Sequence, residues 1–234
     1  MAQQAPAASA ALTHLAYAIG AQVGGGTFAG VINVAGEAFA LIVAPKTGDL
    51  RGAWHAQRAR VAGAESFCDG LENTRAMAEA GSILAAEALA LVIDGFNDWY
   101  IPSRDELELV YRHLKPTTEE NYAYDDGENA NSVPPGEEYT ADFPVMTGVL
   151  AFQHGAPDAL TPTWYWSSTQ YAPGPSIAWS QDFNVGLQVS HRKSAEGRAR
   201  AVRRLPIQSF SNSNAEAAQL EAAAPAAEIA AAAA

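Results

Sequence analysis

The 234 residues predict an α+β domain, and three features carry that expectation. Cap residues followed by helical spacing cluster early, between Asn73 and Leu114. Short β-patterned runs broken by Gly, Pro and Asn fill the chain after Trp164. Between two Ala-rich ends, residues 23–207 form an apolar-rich stretch of the right size for one domain. Helices first and a meander of strands last is the α+β order, not the alternating order of a parallel α/β sheet.

Composition narrows the function classes. With 48% hydrophobic residues the chain can bury a core, and no apolar run reaches the length of a membrane-spanning helix. The net charge is −12, from 26 acidic against 14 basic residues. A nucleic-acid grip needs clustered cations, so no nucleic-acid partner is expected. Cys68 is the single cysteine, which removes disulfide frameworks and paired-Cys metal or redox sites.

Residues 1–22 read as an Ala-rich arm with a short helix over Ala10–Ile19, either frayed or packed on a neighbouring subunit. Ala8–Gly20 is apolar, but Met1–Ala7 carries no positive charge and the first basic residue is Lys46. No signal peptide is therefore expected. Thr27–Ile32 and Glu37–Ala44 read as strands joined by a hairpin at Asn33–Gly36, with Phe39, Leu41 and Val43 on one face. Thr47–Gly70 reads as a loop anchored by Trp54. Asn73 opens a helix that Gly81 stops, and Ser82 caps a second over Ile83–Ile93. Ser103 with Glu106 is a capping box for a third helix, whose buried stripe is Leu107, Val110, Tyr111 and Leu114.

Thr117–Phe143 is irregular, with eight acidic residues and no Lys or Arg. Strands are then expected at Trp164–Thr169, Ile177–Phe183, Gly186–His191 and Arg198–Leu205. Residues 208–234 form an acidic Ala-rich tail; from Ser211 onward 13 of 24 residues are alanine. Such a tail is disordered alone, or ordered by a partner or by its own copies.

Four blocks in order carry a family resemblance. Asp98-Trp99-Tyr100-Ile101-Pro102-Ser103-Arg104-Asp105-Glu106-Leu107 is followed by Tyr165-Trp166-Ser167-Ser168-Thr169, Ala178-Trp179-Ser180-Gln181-Asp182-Phe183 and Arg200-Ala201-Val202-Arg203. This series resembles the Lcl C-terminal domain family, across about residues 24–206. The resemblance implies a C-type-lectin-like fold, two or three helices beside a twisted antiparallel sheet. It also implies an adhesin or a bacteriophage virion protein. Trp99, Trp166, Trp179 and Phe183 read as core aromatics that hold this domain together, with sugar stacking the rival reading for the three tryptophans.

No catalytic set emerges, and no enzyme is expected. Calcium lectins of this fold use Glu-Pro-Asn or Gln-Pro-Asp with Trp-Asn-Asp, and none of these occurs. The acidic loop at 119–142 supplies oxygen ligands at Asp125, Asp126, Glu128, Asn129 and Asn131, but without an ordered calcium pattern. It reads first as a solvated face. Related formylglycine-generating enzymes need two cysteines, and Cys68 stands alone. The five histidines show no metal-ligand spacing, so no metal and no cofactor are expected. Arg198 and Arg200 alternate along a strand and are expected to pair with the acidic loop; an exposed patch for an anionic surface is the rival reading.

The expectation is a virion structural protein: a fibre, tail or head-decoration component assembled in the host cytoplasm. Its arms would meet other virion proteins and make a homo-oligomer, a trimer for a fibre. A host-surface glycan or protein would be held by loops carrying Tyr171, Asn184, Gln188, His191 and Arg192. A bacterial adhesin is the alternative.

Overall fold

The computed structural model describes residues 17–124 and 126–207. Its architecture is α+β, with three helices and two curled sheets among the described residues. The first sheet runs β1 (Gln22–Val23), β2 (Gly26–Val34), β3 (Glu37–Val43), β10 (Val202–Pro206), with β5 (Ser132–Val133) on the free side of β2. The second runs β4 (Asp49–Ala53), β9 (Glu196–Arg200), β6 (Trp164–Gln170), β7 (Ile177–Asp182), β8 (Gln188–Arg192). Pairing is antiparallel except between β6 and β9, which run parallel where Tyr165 meets Arg198.

β2 and β3 form the expected hairpin. Ala35 and Gly36 both take positive φ, 53° and 89°, the mirrored two-residue turn that matches strand twist. β3 is buried on both faces rather than one. Leu41 and Val43 enter the main core, while Ala40 and Ile42 pack against Trp99 and Ala201 on the other side. Asp98–Ile101 is not a regular strand; Tyr100 is bridged to Val202 by two backbone hydrogen bonds of 2.8 and 2.9 Å, with Trp99 and Ile101 fully buried beside it.

Two of the three helices differ from the sequence expectation at their ends. Helix α1 (Gly70–Glu79) starts before Asn73, capped by Asp69, whose carboxylate accepts the Glu72 N–H at 3.0 Å. Asn73 is instead buried, bonding both backbone groups of Ser66. Helix α2 (Ile83–Leu89) is capped by Ser82 as expected but stops well before Ile93. There the chain turns at Asp94–Gly95, and Ile93 and Phe96 exchange backbone bonds of 3.0 Å.

Helix α3 (Arg104–Leu114) carries the capping box and lies in the centre of the domain, against β2, β5, β6 and β7. Its apolar stripe is buried, and so are Asp105, Glu106 and Glu108 on the remaining faces. Glu106 Oε2 accepts the N–H groups of Ser103 (2.7 Å) and Gly70 (3.1 Å), and Oε1 accepts the Tyr100 hydroxyl at 2.7 Å. Burial raises its pKa to about 7. Glu108 pairs with Arg112 at 2.8 Å and accepts from Asn129 and Tyr139. Gly30 lets α3 seat closely on β2: a Cβ there would stand 3.0 Å from His113 Nδ1, at φ +140°.

Two further corrections concern the polar segments. Residues 49–53, expected in a loop, form β4 because β9 pairs with them along their whole length. The expected strand Arg198–Leu205 is broken at Ala201, whose N–H bonds Gly48 and whose carbonyl accepts Ala44 N–H, both at 3.0 Å. The chain thereby passes from the second sheet into the first. Residues 117–143 are irregular as expected, apart from β5. They are tied down by buried Lys115, whose ammonium donates to Asn121 Oδ1 (2.8 Å) and to the carbonyls of Glu119 and Pro144.

At the N-terminal end, Ile19–Gly20 is a turn rather than the last turn of a helix. Tyr17 and Ala18 are not helical either, while residues 1–16 of the arm and the tail 208–234 lie outside the described residues. No helix among the described residues is long and apolar enough to cross a membrane.

Candidate functional site

Strand register sets the candidate site. Trp166 faces Ser180 across β6–β7, Trp164 faces Asp182, and Ala178 faces His191 across β7–β8. Directly paired residues share a sheet face, so Trp164, Trp166, Ser180 and His191 converge on one side of the second sheet. The His191 ring stands edge-on to both indoles, 4.7 Å from Trp164 and 6.3 Å from Trp166. Ser180 Oγ lies 2.6 Å from His191 Nδ1 and 3.1 Å from the Val189 carbonyl oxygen. Gly197 on β9 makes room for Trp166, since a Cβ there would stand 2.4 Å from the indole nitrogen.

These side chains enclose a cleft of about 110 Å³. Beside Trp164 it opens into a wider depression of about 370 Å³, edged by Arg51, Glu196 and Arg198. Aromatic walls with a carboxylate and guanidinium groups at the mouth suit a ligand with an apolar face and hydroxyl or charged edges. Burial lowers the His191 pKa below its ordinary value, which favours the neutral imidazole at pH 7. The contact between Ser180 Oγ and His191 Nδ1 holds the ring between the two tryptophans.

The residues singled out in the sequence do not form one site. His191 enters the cleft, and Arg192 is exposed at the end of β8. The turn from Tyr171 to Ser176 lies at that same end of the β7–β8 hairpin, where Lys193 N–H bonds the Ser176 carbonyl at 3.0 Å. Asn184 lies at the other end, about 20 Å away along β7 by strand rise. There its carbonyl accepts the Thr117 hydroxyl. Gln188 is buried: its amide donates to the Arg104 carbonyl and to Gln181 Oε1. It acts as internal support, not as a loop contact.

Trp99, Trp166 and Phe183 are buried, with Phe183 edge-on to Tyr165 at 5.0 Å. Trp179 differs, being only half-buried. It stands 5.2 Å from Tyr171 and 6.2 Å from Phe67, with the Arg104 guanidinium 5.0 Å from its ring. The hydroxyls after Trp166 are structural. Ser168 N–H and Oγ both bond the Pro102 carbonyl, and Thr169 Oγ1 accepts Arg104 N–H while donating to Ser66.

Arg198 and Arg200, with the nearby Arg203 and Arg204, pair within the domain but not with the acidic loop. Arg200 and Arg198 meet Asp49, Arg203 meets Asp98 through two bonds of 2.7 and 2.8 Å, and Arg204 meets Asp69. Lys193 is buried, with its ammonium 4.5 Å above the Trp54 ring and bonded to Gln170 and the Ala59 carbonyl. In the acidic loop, Asn129 and Asn131 spend their amides on Glu108 and Asp105, and Asp126 accepts Gln188 N–H. Asp125 lies outside the described residues, and among those described no three acidic or His side chains gather as metal ligands.

Trp164, Ser180 and Glu196 were not singled out in the sequence. The alternation of Trp164 and Trp166 was visible as two indoles on one strand face; the Ser180–His191 contact depends on the β7–β8 register, which no local pattern fixes.

Fold and cleft together define an α+β domain with an aromatic-lined cleft on its second sheet. Residues 47–203, more than half of the chain, match the sequence model of the Lcl C-terminal domain, and the chain belongs to that family. No curated protein and no solved structure matches it.

Proposed function

We propose that this protein is a non-catalytic binding component displayed on a surface, with a C-type-lectin-like domain that holds a host-surface glycan or protein. Family membership is consistent with a surface-associated, adhesin-like protein. The observation that carries the binding reading is the cleft itself: two indoles and a neutral imidazole beside Glu196 and Arg51. A pyranose ring offers an apolar face for such indoles and hydroxyls for the flanking polar groups.

The display platform in this reading is a bacteriophage virion, as a fibre, tail or decoration component. The Ala-rich segments at both ends then meet other virion proteins and further copies of the chain, a trimer in a fibre. Several copies would multiply a weak single-site affinity by raising effective concentration.

Two measurements test this. On a glycan array or on host envelopes, the full-length protein should bind, and Trp164→Ala should weaken binding at least tenfold, the scale of an interface hot spot. Because Trp164 is only partly buried, with its ring edge-on to His191, the variant's thermal midpoint should fall by only a few degrees, leaving it folded in the assay. Equal binding by the variant would remove the cleft from the reading. Mass spectrometry of purified particles should find the protein in stoichiometric copies. Its presence on cell envelopes and absence from particles would overturn the virion and favour a bacterial adhesin.

A further inference from the structure

Lys193 lies in the turn between β8 and β9 and is fully buried, yet it forms no ion pair among the described residues. A buried ammonium without a carboxylate partner is costly. Its Nζ donates to Gln170 Oε1 at 2.5 Å and to the Ala59 carbonyl at 3.0 Å, with the Trp54 ring 4.5 Å away. Gln170 ends β6 and is fully buried too. Its Oε1 also accepts the Val61 N–H at 2.8 Å. Its Nε2 donates to Glu65 Oε1 at 2.9 Å and to the Val61 carbonyl at 3.2 Å. A C=O bond is about 1.2 Å long, so Nζ stands within about 4 Å of the Gln170 carboxamide carbon, Cδ.

We infer that Lys193 and Gln170 join through an isopeptide bond, formed inside the folded domain with loss of ammonia. Each part of an acyl transfer is in place. The nucleophile is the Lys193 amine. Burial, helped by the Arg60 guanidinium, lowers its pKa to about 8, so a fraction of it is neutral near pH 7. The Val61 N–H is aimed at Oε1, where negative charge develops as Nζ adds to Cδ. The Glu65 carboxylate touches the leaving nitrogen and carries protons to it.

The Nζ–Cδ bond forms and the Cδ–Nε2 bond breaks. Two protons pass from Nζ to Nε2, which departs as ammonium, and no oxidant or reductant enters. The Glu65 side chain is held by Arg60 but is 44% exposed, which gives the departing group a route to solvent. The product replaces a buried charge by a neutral amide. It also ties the end of β6 to the β8–β9 turn, the two sides of the sheet that carries the aromatic cleft.

The carboxylate sets this pair apart. Lys115 meets Asn121 in a similar buried contact, but the Asn121 amide nitrogen reaches only the backbone carbonyls of Thr140, Ala141 and Pro144.

Mass spectrometry of the full-length protein tests the bond. After incubation at pH 9 the wild type should be about 17 Da lighter than its sequence, the mass of one ammonia. A branched peptide should join Gln170 to Lys193, and trypsin should no longer cut after Lys193. Glu65→Gln and Lys193→Met should both keep their full mass. Glu65 lies at the rim, so Glu65→Gln should keep the wild-type circular dichroism, and its retained ammonia then reports lost chemistry rather than unfolding. A wild type that holds its full mass would overturn the bond. So would the same mass loss in Lys193→Met, or a loss that maps to other residues. A loss that persists in Glu65→Gln would overturn the part given to the carboxylate.

Discussion

Replacing Arg200 by methionine should destabilise the domain by about 3 kcal/mol, because it strands a largely buried carboxylate and three carbonyl groups at once. The Arg200 side chain is 1% exposed. Its Nε donates to Asp49 Oδ1, Nη1 to the carbonyls of Ala44 and Asp158 at 3.0 Å, and Nη2 to Ala159. Those acceptors belong to the start of β4, the end of β3 and the loop before β6, so one guanidinium joins segments of both sheets. Lys46 Nζ, 2.7 Å from Asp49 Oδ2, offsets part of the loss, which places the estimate at the low end for a broken buried pair. In a domain of this size the thermal midpoint should fall by roughly 6–12 °C. A fall of only a degree or two would show that the two sheets are held by packing alone.

The second large effect is a pH dependence centred on Glu106. Its folded pKa of about 7 exceeds the ordinary 4.5, with desolvation as the main cause. The folded state therefore holds this proton more tightly than the unfolded chain does. The resulting stability is fully present below pH 4.5 and is lost as pH rises through 7, a swing of about 3 kcal/mol. Glu106→Gln should remove the swing and stabilise the protein at pH 8. Glutamine fits the bonding: its oxygen can accept from Ser103 and Gly70 where Oε2 does, and its amide can donate to the Tyr100 hydroxyl. Asp105 and Glu108 are shifted the same way by burial, and Lys193, lowered to about 8, acts in the opposite sense. The quantity to measure is therefore the difference between wild type and variant in urea unfolding at pH 5 and pH 8. Parallel pH profiles would sink the assignment.

Glu106 also shows how far the sequence was legible. Its backward reach to Ser103 could be read from a four-residue spacing, because a capping box is a local device. That the same carboxylate is also buried under Tyr100 and the start of α1 could not, because both partners arrive through tertiary packing. Helix starts at Ser82 and Ser103 were readable for the same local reason. The end of α2 was not: Leu91 and Val92 continue the helical spacing, yet the chain leaves the helix at Leu89, and Leu91 and Ile93 cover the Trp99 cluster. β4 has no β-pattern of its own, with Asp, Arg and Gly in five residues, and exists because β9 pairs with it.

The aromatic cleft divides along the same line. His191 and the Trp164–Trp166 alternation lay in the sequence, while their convergence needed the register of three strands. Gln188 looked like a loop residue for want of any local sign that Arg104 and Gln181 would enclose it. Arg198 and Arg200 were readable as paired cations, but their partner lies some 150 residues earlier, at Asp49. Only the folded sheet brings these together.

The passage of the chain through Ala201 has a mechanical consequence. β10 lies antiparallel to β3 from Val202 to Pro206, and the chain continues from it through Ile207. A pull on that end directed along the strand loads the β3–β10 hydrogen bonds together in shear, whereas a pull across the sheet would peel them one pair at a time. Tension that passes β10 meets Ala201 next, where the load divides between the Gly48 and Ala44 backbone and the Arg200 fork. A domain tethered through this strand would resist drag best when the tether runs in line with β10, and its lifetime under load would follow the unfolding rate rather than the equilibrium stability.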